Sequence, residues 1–241
     1  MANSFFEPGE QRAAKVKELF TTIAPRYDLI NDLQSFGLHR YWKWRAVRLA
    51  RAQPGARALD LCCGTADLAR ALARAGAVVA GLDFNERMLG VAKSRTKGQE
   101  LLFVRGDAQR IPFADDSFDI VTVGYGLRNL ATWQAGLGEM ARVAKPGGRL
   151  VVLEFGKPKG ALWRGLYFGY LRLFVPWLGR VFHGNARAYA YILESLQHYP
   201  AQRGVAAEME KLGLANVRIV EMLGGAMSLN YALKGPRLIQ Q

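Results

Sequence analysis

Two adjacent cysteines, Cys62 and Cys63, stand out among the residues of this chain that are able to do chemistry. A metal site built on the pair would need about two further His or Cys ligands at suitable spacing. The three histidines, His39, His183 and His198, are scattered along the chain and form no such cluster. Neighbouring cysteines rarely form a disulfide, which favours a reducing compartment. The pattern therefore predicts neither a metal nor a redox role for the pair.

The residues after the cysteines form a turn of the kind that precedes a helix. Gly64 lets a ligand approach the backbone, and Thr65 or Asp67 is placed to hydrogen-bond at the start of the helix. The turn lacks the further glycines of the pattern G-x-G-x-x-G, which bare the backbone for a pyrophosphate. Because Asp67 would repel phosphate and attract a cation, the turn predicts a ligand with a positive centre and no phosphate.

Carboxylates follow the next two apolar runs of the chain. Asp83 ends the second run, where a carboxylate is placed to accept hydrogen bonds from both hydroxyls of a ribose. The alternative is an acid that stabilises the N-terminus of the next helix through the helix dipole. Asp107 follows the third run and is placed to accept from an exocyclic amine such as adenine N6, while Ala108 offers its backbone N–H to a ring nitrogen. The order of the loops predicts a nucleoside site.

These loops belong to a regular alternation of short apolar runs and helical patterns. Runs that are apolar on both faces, alternating with helices, predict a parallel sheet that helices cover on both sides. The whole chain, 1–241, is predicted to be one α/β domain. Its parts are an N-terminal helical cap at 12–52, a ligand-binding core at 57–155, an aromatic and basic lid insertion at 157–200, and a C-terminal helix and strand pair at 201–236.

Composition narrows the class of protein further. The 241 residues are 50% hydrophobic and carry a net charge of +13, which predicts attraction to polyanions such as nucleic acid, anionic lipid or phosphorylated ligands, unless the arginines only confer solubility. The N-terminal residues lack the basic region and apolar run of a signal peptide. No run of about 18 apolar residues occurs, so we expect no transmembrane span.

The loops and their surroundings resemble class I S-adenosylmethionine (SAM) methyltransferases, and more closely the UbiE/MenG/COQ5 quinone C-methyltransferases. The resemblance covers most of the chain in family order, and "GLRN" and "LEFGKP" are its more specific stretches. It implies a Rossmann-like fold, with a seven-stranded, mostly parallel sheet, helices on both faces and an antiparallel C-terminal strand. The stretches are "FTTIAPRYDLINDLQSFGLHRYWKWR", "LDLCCGTADLA", "GLDFNERML", "GDAQRIPFADDSFDIVTVGYGLRN", "KPGGRLVVLEFGKP" and "YILESLQHYP".

The resemblance also implies a cofactor and its contacts. SAM would be the cofactor, Cys62 and Cys63 would be a strand end and pocket lining, and no metal would be bound. Tyr27 and Asp28 would close the pocket from the N-terminal side, unless they only end a helix. At Gly124 some members of the ubiquinone branch carry serine, so a side-chain contact to SAM is absent there. The implied cofactor contacts are Gly64, Thr65, Asp83, Asp107, Ala108 and Gly124.

The reaction that the resemblance implies also requires side chains that activate and orient the substrate. A quinol ring carbon becomes a good nucleophile only when a neighbouring hydroxyl loses its proton. Arg128 is our candidate to stabilise the phenolate, because arginine stays protonated and supplies electrostatics rather than proton abstraction. Asn129 either orients the substrate oxygens or caps the following helix. The base is open among His183, Glu154, Tyr125 and a water molecule.

The insertion mixes aromatic side chains, such as Trp163 and Trp177, with Arg164, Arg172 and Arg180. Such a helix suits the surface of an anionic membrane, where a prenylated quinol resides. The alternatives are an ordinary helical cap over the sheet and a dimer face. We expect a cytoplasmic protein with peripheral contact at the inner face of the plasma membrane.

The favoured function is therefore methylation of demethylmenaquinol to menaquinol. Ala66, where many members have glycine, resembles the menaquinone branch, and a ubiquinone precursor is the alternative substrate. A nucleic-acid methyltransferase is disfavoured, because "GYGLRN" stands where enzymes acting on flipped bases carry D/N-P-P-aromatic. A non-catalytic lipid- or nucleic-acid-binding module is disfavoured by Asp83 and Asp107, which it would not need.

Overall fold

A computed structural model describes residues 10–24, 27–183 and 187–236 of the chain. Within these residues, apolar runs form the strands of one sheet, as their two-sided hydrophobicity predicts. The seven strands are β1 (Arg57–Leu61), β2 (Val78–Asp83), β3 (Leu101–Arg105), β4 (Phe118–Gly124), β5 (Ala144–Phe155), β6 (Ala215–Met222) and β7 (Met227–Leu233).

The sheet has the strand order β3-β2-β1-β4-β5-β7-β6. The pairs between neighbours from β3 to β5 are parallel, whereas β7 runs antiparallel to both β5 and β6. The chain moves outward from β1 to β3 and then returns to β4 on the other side of β1. This reversal leaves a crevice beyond the carboxyl ends of β1 and β4, where α/β folds bind ligands.

Helices cover both faces of the sheet, and successive strand residues point alternately into two apolar cores. Leu59 of β1 belongs to one core and its neighbour Ala58 to the other. The described helices are α1 (Glu10–Ile23), α2 (Tyr27–Ser35), α3 (Leu38–Ala50), α4 (Asp67–Arg74), α5 (Glu86–Arg95), α6 (Trp133–Val143), α7 (Ala161–His183), α8 (Arg187–His198) and α9 (Ala201–Lys211).

Local signals in the sequence explain where several helices begin and end. Leu68 and Leu72 lie on the buried stripe of α4, and the chain leaves that helix through Gly76 at φ +93°. Asn85 caps α5, its side-chain oxygen accepting from the amides of Arg87 and Met88 at 3.0 and 3.2 Å.

One boundary differs from the sequence pattern. "KPGG" reads as the end of a helix, with the fifth strand starting after it, but β5 already begins at Ala144. Ala144 pairs with Phe118 and Arg149 with Ile120, so the residues between Ala144 and Arg149 form an irregularity inside the strand. Gly147 takes φ +75° there, which a regular strand would not allow.

The stretch that interrupts the alternation forms α7 and α8 rather than strands. Tyr167, Leu171 and Val175 recur every four residues and are buried, which anchors α7 to the core. The indole nitrogen of Trp163 donates to the carbonyl of Leu223 at 2.8 Å, and Tyr170 donates to the carbonyl of Gln34 at 2.6 Å. These bonds join α7 to the C-terminal strand pair and to α2.

Candidate active site

A cavity of about 170 Å³ lies beyond the carboxyl ends of β1 to β4, and we call it the edge cavity. Loops that are far apart in the sequence meet around it, as the topology requires. The predicted residues that line it are Gly64, Asp83, Asp107, Ala108, Gly124 and Asn129.

The turn after β1 is held in an unusual backbone conformation. Cys62, Gly64 and Ala66 have φ of +49°, +54° and +69°, the left-handed region that glycine adopts most easily. The amide of Gly64 donates to the carboxylate of Asp83 at 2.8 Å, which ties the turn to the end of β2. On the other side, a Cβ built at Gly126 would lie only 2.4 Å from the Cβ of Cys62. The turn is therefore closely packed on both sides.

Asp83 is buried, with 8% of its surface exposed, and its carboxylate faces the edge cavity. One oxygen accepts from Gly64 N and the other from Asn85 N, each at 2.8 Å. Burial raises the pKa of Asp83, and these backbone hydrogen bonds partly offset the effect. An ionised carboxylate has roughly four lone-pair sites, so it keeps capacity to accept from a ligand as well.

Asp107 and Ala108 form the wall after β3. One carboxylate oxygen of Asp107 accepts from the backbone amide of Gln109 at 2.8 Å, which closes a tight turn. The side-chain amide of Gln109 also lies 3.2 and 3.3 Å from the two carboxylate oxygens. A ligand amine at Asp107 would therefore share the carboxylate with Gln109, or displace its side chain.

Thr65 is not brought to either of the two cavities described here. Its hydroxyl donates to Asp28 at 2.8 Å, and Arg95 forms an ion pair with the same carboxylate. Arg95 also reaches Asp67 at 3.2 Å, and Lys43 reaches Asp67 at 2.8 Å. These contacts attach the N-terminal helices to the turn after β1. They join α2, α3, α4 and α5, which a local sequence pattern does not show.

A second cavity, of about 310 Å³, lies under α1, α2, α3 and α7, and we call it the cap cavity. Its wall is mainly aliphatic and aromatic, with few polar groups. Phe36 and Leu166 line it and are nevertheless 73% and 60% exposed, so the cavity opens to the surface beside them. Such a space suits an apolar ligand with a long tail.

Arg128 lines the cap cavity and is 5% exposed. It donates to Glu154 at 2.5 Å and to the carbonyl of Tyr125 at 2.9 Å, and its guanidinium carbon lies 4.8 Å from the ring centre of Phe155. Burial raises the pKa of Glu154, and the charge of Arg128 opposes that rise. Glu154 is thus engaged as the partner of a buried cation.

Asn129 lies on the edge cavity instead, so the two neighbouring residues face different spaces. Its side-chain amide donates to the carbonyl of Tyr125 at 3.1 Å. The following helix starts at Trp133 with Thr132 at its cap position, so the alternative interpretation of Asn129 as the helix cap is wrong. The side chain of His183 lies outside the part of the structure that is described.

Three aromatic residues, Phe20, Tyr27 and Tyr125, line both cavities, which therefore adjoin beside these side chains, and we call them the shared wall. Burial raises the pKa of Tyr27 to about 12, so its hydroxyl stays protonated at neutral pH. Tyr125 takes φ +60°, a costly conformation for a bulky residue, and its buried hydroxyl has no partner among the described residues. The wall thus places an aromatic surface where contents of the two cavities would meet.

The surroundings of the cysteine pair disfavour chemistry by either thiol. Cys62 lines the edge cavity, whereas Cys63 is buried, its sulfur 3.0 Å from a Cβ built at Gly81. Burial raises the pKa of both thiols, which disfavours the reactive thiolate. In the described part of the chain, no three His, Cys, Asp or Glu side chains are grouped to hold a metal.

Sequence reasoning missed the polar residues that α2 and α3 contribute to the cap cavity. His39 was considered only as a metal ligand, yet it lines this cavity and its Nε2 lies 2.7 Å from Asp32. The signal was present in the helix break "SFG" between them, since a turn there folds His39 back toward the preceding helix.

Known proteins match nearly the whole chain. The model of the ubiE/COQ5 methyltransferase family matches residues 9–234. A demethylmenaquinone methyltransferase of Desulfitobacterium hafniense is 40% identical over 228 residues, which cover 92% of this chain and 90% of that protein. A ubiquinone/menaquinone biosynthesis C-methyltransferase UbiE of Ectopseudomonas mendocina is 41% identical over 235 residues, 94% of this chain and 91% of its own length.

Solved structures share the fold at lower identity. A SAM-dependent methyltransferase of Thermotoga maritima has a TM-score of 0.67 and 17% identity, with 91% of this chain and 99% of that one covered. One from Aquifex aeolicus has a TM-score of 0.55 and 18% identity, covering 92% and 97%. These likenesses confirm the predicted class I methyltransferase fold, and the family match confirms the resemblance. The chain belongs to the ubiE/COQ5 methyltransferase family.

Proposed function

We propose that the protein transfers the methyl group of SAM to a ring carbon of a prenylated quinol, with demethylmenaquinol as the substrate. The observation that carries this proposal is that the edge cavity and the cap cavity adjoin at the shared wall of Phe20, Tyr27 and Tyr125. A methyl donor in one and an apolar ring in the other would meet there. Holding two reactants in such geometry is the main source of rate in a displacement reaction.

The residues of the edge cavity fit SAM. Asp83 would accept from the ribose hydroxyls, Asp107 from the adenine amine, and Ala108 would donate its backbone N–H to a ring nitrogen. The fit rests on the donor set: two carboxylates and a closely packed turn with Gly64, suited to a cationic nucleoside. When bound, SAM supplies an activated methyl group on a sulfonium.

Arg128 is proposed as the group that stabilises negative charge on the quinol oxygen. A guanidinium stays charged, and in a buried, largely apolar cavity its field is screened less than in water. Its pairing with Glu154 makes the resting site nearly neutral, which limits the cost of burying the cation. Asn129, on the edge cavity, is proposed to orient oxygens of the bound substrate.

The cap cavity and the relatives both support this substrate class. The opening beside Phe36 and Leu166 would let a prenyl tail leave the site while the ring stays inside. The relative of Desulfitobacterium hafniense is named a demethylmenaquinone methyltransferase, whereas UbiE of Ectopseudomonas mendocina is named for both quinones. We favour demethylmenaquinol, with a ubiquinone precursor as the alternative.

Peripheral contact with an anionic membrane is part of the proposal. The outer side of α7 exposes Leu162, Leu173 and Trp177 at 80%, 72% and 53%, and Arg164 and Arg172 are exposed on the same helix. This face is next to the mouth of the cap cavity, to which Leu166 contributes. Within the described residues no helix is long and apolar enough to cross a bilayer.

The experiment is a transfer assay with methyl-labelled SAM and three acceptors: demethylmenaquinol, a demethylated ubiquinol precursor and tRNA. We expect label in the naphthoquinol ring. The test variant combines Arg128→Gln with Glu154→Gln and so removes both charges of the pair together. It should bind SAM normally and lose turnover by about 100-fold, the effect of losing a group that stabilises developing charge. Label in tRNA, or equal turnover in the variant, would contradict the proposal.

A further inference from the structure

The end of the cap cavity formed by α2 and α3 carries polar groups that the proposed reaction leaves unused. The imidazole of His39 lines the cavity, and 5% of the side chain is exposed. Its Nε2 lies 2.7 Å from Asp32 Oδ1, while its Nδ1 is buried without a partner among the described residues. Gln34 Oε1, which belongs to the same wall, is also buried and has no partner within the described part of the chain. Unpaired polar atoms in a ligand cavity indicate where a ligand hydrogen-bonds.

The backbone between the two helices fixes this arrangement. Phe36 and Gly37 take φ of +50° and +74°, and the amide of Gly37 donates to the carbonyl of Asp32 at 2.8 Å. This tight reversal ends α2 at Ser35 and lets α3 start at Leu38. The hydroxyl of Ser35 accepts from the amide of His39 at 3.2 Å, which holds the start of α3 against the end of α2.

Asp32 determines which nitrogen of His39 carries the hydrogen. Hydrogen bonds from Arg40, and next from His39, lower the pKa of Asp32 to about 2, although burial opposes this. Arg40 reaches the two carboxylate oxygens at 3.0 and 2.7 Å. An ionised carboxylate only accepts hydrogen bonds, so Nε2 of His39 must be the donor. In the neutral ring, Nδ1 then presents a lone pair.

The surroundings of His39 keep the ring neutral near pH 7. Burial lowers its pKa, and Lys43 on the same helix lowers it further, while Asp32 from α2 and Asp67 from α4 act in the opposite direction. From α7, Tyr170 donates its hydroxyl to the carbonyl of Gln34 and is thereby engaged. The ring therefore offers an acceptor, and no donor, at Nδ1.

We propose that His39 selects the reduced, hydroxyl-bearing form of the substrate and discriminates against the oxidised form. A quinol hydroxyl donates to Nδ1, whereas the carbonyl of a quinone is an acceptor and would leave Nδ1 unpaired in an apolar cavity. Selecting the quinol over the quinone favours the reaction, because only the quinol ring is electron-rich enough to accept the methyl group. This inference rests on the proposed function, in which the cap cavity holds the quinol.

The test compares two ligands that differ only in oxidation state. With S-adenosylhomocysteine bound, the affinities of a short-chain 2-prenyl-1,4-naphthoquinol and of its quinone are measured by anaerobic calorimetry at pH 7.5. We expect the wild-type protein to bind the quinol roughly 10- to 100-fold more tightly than the quinone. His39→Leu should bring this ratio close to one, mainly by weakening the quinol. His198→Leu, which changes an exposed histidine, should keep the wild-type ratio.

Two further variants keep the test decisive if His39→Leu does not fold. His39→Gln offers both a donor and an acceptor and should bind the two ligands alike. In Asp32→Asn, Arg40 competes for the remaining carbonyl oxygen, so the amide N–H faces Nε2 and the hydrogen moves to Nδ1. The preference should then shift toward the quinone. Binding of S-adenosylhomocysteine confirms that each variant is folded.

The outcomes separate this inference from the proposed function. Equal wild-type affinity for quinol and quinone, or an unchanged ratio in the folded His39 variants, overturns the selection by His39 and leaves the methyltransferase proposal intact. A wild-type protein that binds S-adenosylhomocysteine but neither naphthalene ligand overturns the quinol proposal, and the inference with it.

Discussion

The carboxylate of Asp83 serves both the fold and the proposed cofactor, so a substitution there must separate the two. Asp83→Ala would also remove the acceptor of the Gly64 and Asn85 amides. Asp83→Asn keeps the shape and one acceptor oxygen. We expect it to weaken SAM binding by about 1.5–3 kcal/mol, the contribution of hydrogen bonds to a charged group. Calorimetry on the folded variant measures this, and unchanged SAM affinity would rule out the ribose role.

Asp60 leads to a prediction about how the free energy of unfolding depends on pH. It is buried in β1, accepts from the hydroxyl of Thr122 at 2.7 Å, and has a second oxygen without a partner among the described residues. Burial raises its pKa to about 7. Between about pH 4 and 7 the folded protein therefore binds a proton that the unfolded chain has released, and the free energy of unfolding falls as the pH rises. Above pH 7 this loss is complete.

Asp60→Asn removes this titration while keeping the shape of the side chain. Between pH 4.5 and 8, the free energy of unfolding of the wild-type protein should fall further than that of the variant, by up to about 3 kcal/mol. Urea unfolding at both pH values measures the difference. Parallel pH profiles for the two proteins would show that Asp60 is ionised throughout, contrary to this account.

Among the elements, the loop after β4 is predicted to tolerate added volume poorly. In Gly126→Ala the new methyl group would overlap Cys62, and overpacking of this kind costs roughly 1–3 kcal/mol. Gly138→Ala is the matched control, because a Cβ built at Gly138 has no neighbouring atom within 4 Å. Alanine also favours the helix α6 by about 1 kcal/mol relative to glycine. Thermal unfolding should therefore shift in opposite directions, and equal shifts would contradict the packing described here.

Most of the elements of the sheet domain are predictable from the sequence alone. The strands and helices from β1 to β5 follow from local periodicity and from signals such as Asn85 and Gly76, and their alternation was predicted. The irregularity in β5 was missed, because it depends on pairing between Ala144 and Phe118 rather than on a local pattern. A register shift is a property of two strands, so one strand's sequence does not contain it.

The site was predictable to a similar extent. The implied cofactor contacts line one cavity because parallel strands end at the same edge of the sheet, and among them Thr65 is the exception. Its partner Asp28 is 37 residues away, and the partner of Arg128, Glu154, is 26 residues away. Contacts at this separation depend on tertiary packing, which hydrophobic periodicity does not encode.

For the whole molecule, the net charge and the exposed face of α7 predict binding to anionic membranes. Each arginine near such a surface contributes about 1 kcal/mol, so replacing Arg164, Arg172 and Arg180 with glutamine should weaken binding by about 100-fold. Replacing the exposed Arg74, Arg87 and Arg218 changes the net charge equally and should have little effect. Flotation with phosphatidylglycerol vesicles at low salt measures both. Equal loss in the two variants would indicate nonspecific attraction.

The central claim is that the two cavities bring SAM and a quinol ring together where they adjoin, beside Phe20, Tyr27 and Tyr125. A crystal structure with S-adenosylhomocysteine and a demethylated naphthoquinone analogue tests it most directly. We predict the adenosine between Asp83 and Asp107, the naphthalene ring in the cap cavity, and the thioether sulfur pointing at the unsubstituted ring carbon with no side chain between them. A nucleoside bound elsewhere, or a ring outside the cap cavity, would contradict the account.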